Sequence, residues 1–159
     1  MTITTAESVP DSPFTTVELR CACSEDAPAL ARLLQQLASD EPLVDSKLLA
    51  LRLAEHSTHR EILVAERDGQ VLGTCTINLI EHLSHNFARS AILEDVVVDA
   101  DARGLGIGQA LMQKAIERAT SWGCYKVALS SNHKREEAHR FYENLGFKLH
   151  GYSLMLPLK

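Results

Sequence analysis

Sixteen residues in the second half of the chain have the types and the order to hold a phosphate: Val96-Val-Val-Asp-Ala-Asp-Ala-Arg103-Gly104-Leu105-Gly106-Ile107-Gly108-Gln109-Ala110-Leu111. An apolar strand runs through a glycine turn into an amphipathic helix. Alternate glycines at 104, 106 and 108 let the backbone approach a ligand closely. A helix start aims free N–H groups and the positive end of its dipole at one point. Arg103 adds a fixed positive charge with planar donors. Together these make a pyrophosphate cradle, or else a plain strand-turn-helix whose glycines only ease packing. A P-loop would need Lys-Ser or Lys-Thr after the second glycine, and neither follows. A dinucleotide fingerprint fits Gly104 and Gly106 but fails at Gln109.

The elements that must position this loop follow from periodicity. Thr16 to Cys21 reads as a short strand, and Ser24 as the N-cap of a helix carrying Leu30, Leu34 and Leu37 on one face. Ser46 to Glu55 predicts a second helix. Glu61–Glu66 and Val71–Ile80 are strands joined at Asp68-Gly69, a strong hairpin signal, and Gly73 marks a bulge. Glu81 to Arg89 is polar and reads as a loop or a bent strand end. Ala91 to Asp99 is a strand whose Val-Val-Val run lacks polar alternation, so it belongs at the centre, covered on both faces. A helix from Ile107 ends at Gly123, followed by a strand at Tyr125–Ser131, a helix at Arg135–Leu145, and closing strands at Phe147–His150 and Tyr152–Leu156. The order is a mixed α+β layout.

Composition bounds the rest. The 159 residues suit one domain, with residues 1–16 as a polar, disordered lead-in and residues 17–159 as the domain. Hydrophobic residues at 45% and charged residues at 23% describe an ordinary globular chain. A net charge of −5 argues against nucleic-acid binding, which rests on neutralising phosphates. No apolar run is long enough for a membrane span, and no basic segment followed by an apolar one suggests a signal peptide. Cys21, Cys23, Cys75 and Cys124 match no zinc spacing and read as free thiols in a reducing cytoplasm.

A second motif lies beyond the glycine loop: Asn132-His-Lys-Arg135, Ala138 and Phe141-Tyr142-x-x-x-Gly146-Phe147. With Arg103-x-x-Gly106-x-Gly108, this resembles the GNAT superfamily of acyl-CoA N-acyltransferases, over most of the chain from Glu18 to Leu156. The resemblance implies a mixed central sheet of about six to seven strands flanked by about four helices. It implies acetyl-CoA as acyl donor and direct transfer to an amine. In that fold the central strand splays from its neighbour and the acyl group sits in the gap. Val96 and Val98 would offer backbone groups to the pantetheine arm. Arg103, Gly104, Leu105, Gly106, Ile107 and Gly108 would bind the pyrophosphate. Asn132 and Arg135 would touch the far side of the cofactor, and Tyr142 would stand near the thioester sulfur.

The chemistry suits these roles. An attacking amine must lose a proton, and a departing thiolate gains from an acid such as Tyr142. Phe141 and Tyr142 cannot share one helix face, so one is core and the other functional. Glu94 and Asp95 precede the Val run, and strand alternation puts them on opposite faces. Glu94 is the candidate base, or an anchor for the substrate ammonium; the alternative is a solvated strand end. His82 and His85 are candidates for lining the acceptor end, or are solvated. Cys75 and Cys124 could form acyl-enzymes, but no Cys–His constellation marks them.

Two branches of the superfamily share local features. Glu94–Asp99 with Gly123–Val127 resembles glucosamine-6-phosphate N-acetyltransferases. Leu129–Tyr142, with the His-rich Glu81–Asn86 loop, looks closer to aminoalkylphosphonate N-acetyltransferases, which implies a response to a divalent metal. Both imply a small, anionic amine as acceptor, with Lys134, Arg135 and Arg140 as counter-charge or as a solvated helix face. A protein or peptide acetyltransferase, or an acyl-CoA sensor without turnover, stays open. The fold also implies a homodimer formed through the C-terminal strands, where Tyr152–Leu156 is apolar enough for that or for a covered edge.

Overall fold

A computed structural model describes residues 16–158. The expected lead-in over residues 1–16 lies outside this range apart from Thr16. Five strands form one sheet in the order β1 (Glu18–Cys21), β2 (Arg60–Arg67), β3 (Gln70–Glu81), β4 (Arg89–Val98) and β5 (Cys124–Leu129). Neighbours are antiparallel except β4 and β5, which run parallel through a helical crossover. The helices are α1 (Ala27–Leu37), α2 (Ser46–Ala54), α3 (Ser84–Phe87), α4 (Ile107–Ser121) and α5 (Glu136–Asn144).

Each sheet face carries its own apolar layer. Leu63, Cys75, Ile77 and Leu93 meet Ile107, Leu111, Met112 and Ala115 of α4, together with Tyr142 of α5. Val64, Val71 and Val97 meet Leu30 and Leu33 of α1 on the opposite side. The Val-Val-Val run is therefore covered on both faces: Val97 is buried toward α1, and Val96 and Val98 pack toward α4. Burying each such aliphatic side chain stabilises the fold by about 1.5–3 kcal/mol.

Gly73 adjoins a bulge, because Ala65 pairs with Gly73 and Glu66 with Val71, leaving Leu72 as an extra residue on β3. It also lies under α4. A Cβ there would stand 2.8 Å from Leu111 Cδ1 and 3.2 Å from Ile107 Cγ2. The β2–β3 turn takes left-handed backbone at Asp68 and Gly69 (φ 54° and 75°), as a tight hairpin requires.

Three expectations change. The sheet has five strands among the described residues, not six or seven. Residues 147–158 pair with no strand among the described residues, and Leu149, Tyr152, Leu154, Met155 and Leu156 stand exposed. An apolar pattern supplies strand propensity, but a strand also needs a neighbour to take its N–H and C=O groups, and this tail reaches none. The polar stretch after β3 contains the helical turn α3, with left-handed backbone at His85, Asn86 and Phe87 (φ 54–58°), making five helices among the described residues rather than about four. Ser24 does not cap α1. It opens a 3-10 turn (Ser24–Asp26) and donates to Ala50 O at 3.3 Å.

The reason lies with Asp26. Its carboxylate accepts two bonds from the Arg20 guanidinium, at 2.7 and 2.8 Å, and one from the Cys23 amide at 2.8 Å. Arg20 also donates to Glu66 at 2.7 and 3.0 Å, tying β1, β2 and the start of α1 together. Arg20 holds the buried Asp26 carboxyl down at about 2.

Two predictions follow. The unfolded chain binds a proton at Asp26 more tightly than the folded one does. Its stabilisation is therefore full above about pH 4 and disappears as pH falls toward 2. Asp26→Asn is expected to lose about 1–2 kcal/mol at pH 7, discounting the solvent around Arg20, and to flatten the acid limb of stability against pH. Urea unfolding at a series of pH values checks it. Gly73→Val is expected to cost about 1–3 kcal/mol by overpacking against Leu111, read as a lower urea midpoint at unchanged slope.

Candidate active site

The site begins with one extra residue on β4. Thr74 pairs with Val97 and Thr76 with Glu94, so a two-residue step on β3 faces a three-residue step on β4. Asp95 absorbs the surplus in left-handed backbone, φ 52°. Its carboxylate accepts the Thr76 hydroxyl at 3.1 Å. Directly paired residues share a sheet face, so Thr76 and Glu94 lie on one side, and Asp95 turns toward it. The expected placement of Glu94 and Asp95 on opposite faces is corrected: the bulge interrupts the alternation on which it relied.

The same strand loses its other neighbour at this point. Pairing with β5 ends at Leu93–Leu129, so no β5 residue pairs with Glu94 through Val98. Val96 and Val98 stand on the edge this fork exposes. At its mouth, just past β5, Ser131 Oγ is the single buried side-chain polar atom without a hydrogen-bond partner among the described residues. An unsatisfied buried hydroxyl is costly, and a polar ligand in the fork would satisfy it.

Beyond β4, Asp99 holds the glycine loop. Arg32 of α1 forms an ion pair with its carboxylate and donates to Val71 O at 3.2 Å. Asp99 also accepts the Asp101 amide at 3.1 Å, capping the 3-10 turn Ala100–Ala102. The Arg32 bond, then the Asp101 amide, hold its carboxyl below the usual carboxylate range. Arg103, Gly104, Leu105 and Gly106 follow, all exposed. Gly104 and Gly106 are left-handed, at φ 78° and 79°, with nothing within 4 Å of where a side chain would stand. Gly106 is the N-cap of α4, so the first amides of Ile107 and its successors have no partner within the helix. Gly108 differs from the other two. A Cβ there would meet Phe141 Cζ at 3.3 Å and Val98 Cγ2 at 3.5 Å. That glycine seats α4 against α5, while its amide, in the first turn of the helix, has no partner within the helix.

On α5, Tyr142 is buried and packs between Phe141 and Phe147, with ring centroids 5.3 and 6.0 Å away. Phe141 is half-buried over Gly108, so both aromatics pack, and Tyr142 is the more enclosed. Burial pushes the Tyr142 hydroxyl above the ordinary tyrosine value, against the positive charge of Arg135. Asn132 Oδ1 accepts the Lys134 amide at 3.0 Å, and Asn132 O accepts the Arg135 amide at 2.9 Å, shaping the turn into α5.

Glu94 opens into a cleft of about 650 Å³ on the α1–α2 side, shared with His56, Arg60, Asn78, Ile80 and Ile92. Residue-level reasoning missed Arg60, Thr76 and Ser131. Arg60 looks like any cation at a strand start, and only the pairing register brings it near Glu94. Lys134, Arg135 and Arg140 are exposed at the other side of the fork, away from this cleft.

His82 and His85 are not brought to Glu94. They pack against Tyr125 at the start of β5, with centroids 6.1 and 5.6 Å away, and His82 Nε2 bonds Ser90 Oγ at 2.8 Å. This is the opposite end of β4 from the glycine loop. Among the described residues no three His, Cys, Asp or Glu side chains gather as a metal site, so the residues do not fit the divalent metal the His-rich loop suggested. Burial pushes the Cys75 thiol up to about 12, leaving negligible thiolate at neutral pH, and burial raises Cys124 as well.

Comparisons with known proteins bear on this geometry. Residues 28–147 match the Acetyltransferase (GNAT) family. The glucosamine 6-phosphate N-acetyltransferase of Trypanosoma brucei brucei is 31% identical over 89% of this chain and 96% of its own. The aminoalkylphosphonate N-acetyltransferase of Salmonella typhimurium is 33% identical over 82% of this chain and 84% of its own. The crystal structure of glucosamine-6-phosphate N-acetyltransferase from Arabidopsis thaliana superposes with a TM-score of 0.80 at 25% identity, covering 91% of this chain and 99% of that one. A bulged, forked β4 leading into a left-handed glycine cap thus accompanies both sequence and structural kinship: the chain belongs to the GNAT acetyltransferase family and is an N-acetyltransferase.

Proposed function

We propose that the chain transfers the acetyl group of acetyl-CoA directly to the primary amine of a small anionic acceptor, such as an aminoalkylphosphonate or a hexosamine phosphate. The observation that carries this reading is the Glu94 cleft opening beside the unpaired edge of β4. A carboxylate without a partner there can hold an ammonium and take up its proton at the point where a thioester would lie in the fork. The two acceptor classes share one chemistry, an amine and an anion on a small skeleton, and relatives of both kinds match most of the chain.

The residues fit the donor. Acetyl-CoA supplies an activated acetyl thioester. Arg103, the open backbone of Gly104, Leu105 and Gly106, and the free amides at Ile107 and Gly108 would hold its pyrophosphate. Val96 and Val98 would offer N–H and C=O groups to the pantetheine arm. Asn132 and Arg135 would flank its far side, and Ser131 Oγ would gain a partner. Glu94 would orient the amine and act as base. Tyr142 would return a proton to the departing thiolate, and the upward push from burial keeps that proton on the hydroxyl across the neutral range. Direct transfer suits a chain whose Cys75 is buried and protonated.

A homodimer belongs to the same proposal. Among the described residues, the outer edge of β5 and the apolar tail containing Tyr152–Leu156 each lack a strand partner, and a second copy would supply both. Four free thiols suit a reducing cytoplasm.

Release of free thiol from acetyl-CoA is the direct test, with aminoalkylphosphonates, glucosamine 6-phosphate, polyamines, amino acids and a basic peptide as acceptors. Turnover with the anionic amines is expected. Turnover with the peptide alone would make the chain a protein acetyltransferase, and acetyl-CoA binding without any turnover would make it a sensor. Tyr142→Phe is expected to lower kcat by about 100-fold or more, with little change in acetyl-CoA affinity. Arg103→Glu is expected to weaken coenzyme A binding by about tenfold or more, measured by calorimetry.

A further inference from the structure

Arg60 begins β2, and its place in the register decides what it can reach. It pairs with Asn78, Asn78 pairs with Ile92, and Glu94 lies two residues further along β4. Directly paired residues share a face, so Arg60, Asn78, Ile92 and Glu94 share one. Two strand spacings of about 4.8 Å and two residues of about 3.3 Å put the Arg60 and Glu94 Cα atoms about 12 Å apart. Both side chains line the same cleft.

The pairing state of the charges around that cleft is uneven. Glu55 is held by Arg52 at 3.2 Å, and His59 lies 3.6 Å from Glu81. Next in sequence to Arg60, Glu61 is held by Arg118 at 2.7 Å. Arg60 and Glu94 have no ion pair or side-chain hydrogen bond among the described residues. Arg60 is half-buried as a residue, and no protein acceptor among the described residues meets its guanidinium. One free cation and one free anion therefore stand across a floor formed by the Asn78 amide and the hydrocarbon of Ile80 and Ile92.

We infer that Arg60 recognises the anionic head group of the acceptor, a phosphate or phosphonate, while Glu94 holds its ammonium; this rests on the acetyl-transfer reading above. The planar donor fork of Arg matches the oxygens of such a group two at a time. Fixing the far end of the molecule at Arg60 sets which atom reaches Glu94 and the fork. Arg60 is thus a specificity residue, and its contribution falls on binding rather than on the chemical step.

The test compares matched acceptors: glucosamine 6-phosphate with glucosamine, and 2-aminoethylphosphonate with ethanolamine. In Arg60→Gln, the ratio of kcat/KM for the anionic member over its neutral partner is expected to fall about 10–100-fold, mainly through KM. Arg60→Lys, which keeps the charge but not the fork, is expected to fall between. An unchanged ratio in Arg60→Gln, or a wild-type enzyme with no preference for the anionic member, overturns the inference. Calorimetry of the coenzyme A-loaded enzyme with each anionic amine separates this from the reading beneath it. Binding that weakens at least tenfold in Arg60→Gln, without acetyl transfer by the wild type, supports Arg60 and overturns the transfer reading. Equal binding by both proteins alongside normal transfer overturns Arg60 alone.

Discussion

A strand that gains one residue against its neighbour must leave the plane of regular pairing. On β4 the gain falls at Asp95, two residues after the last pair that β4 makes with β5. The bulge and the fork are thus one event seen from two sides of the strand. Toward β3, the surplus turns Asp95 into left-handed backbone, held by the Thr76 hydroxyl. Toward β5, the strand that follows cannot keep its register and leaves its backbone groups free. Those groups are strong donors and acceptors that need partners, and a partner from outside the chain is the means available. The Ser131 hydroxyl makes the same demand from the opposite wall.

Placing the fork is not enough, because the loop after it must also be held. Here the fold uses charge rather than apolar contact. Arg32 reaches from α1 to Asp99 at the end of β4, and Gln36 accepts the Ala100 amide at 2.9 Å. The loop therefore enters the glycines from a fixed point, although its own residues are exposed. Gly108 completes the fit by letting α4 and α5 close on each other around Val98 and Phe141. One glycine serves packing and two serve the backbone path, a division that spacing alone does not reveal.

Much of the fold was legible in the residues. The Asp68-Gly69 hairpin, the stripe along α4, the stop at Gly123 and the covered Val run all rest on local pattern. Those patterns report physical needs, a left-handed turn or an apolar face, that do not depend on distant residues. The failures are non-local. Ser24 lost the cap because Arg20 and Glu66 drew Asp26 into an ion-pair network. Residues 147–156 carry a strand pattern but meet no strand to pair with among the described residues. Glu94 and Asp95 broke alternation because the extra residue is defined only against β3. His82 and His85 have side chains suited to an acceptor site, yet the β3–β4 connection carries them to the far end of the strand. Arg60 escaped notice because nothing near it in sequence sets it apart.

The fork has a consequence for the order of events. Tyr142 belongs to the layer under α4 and α5, whereas the Glu94 cleft opens on the α1–α2 side. On the proposed assignment, donor and acceptor approach the reacting carbon from opposite faces of one sheet, and neither crosses the other's entrance. A ternary complex can then assemble in either sequence, and each product can leave while the other is still bound. On that assignment a proton would be taken up on the cleft side and another returned on the helix side, at two separate places.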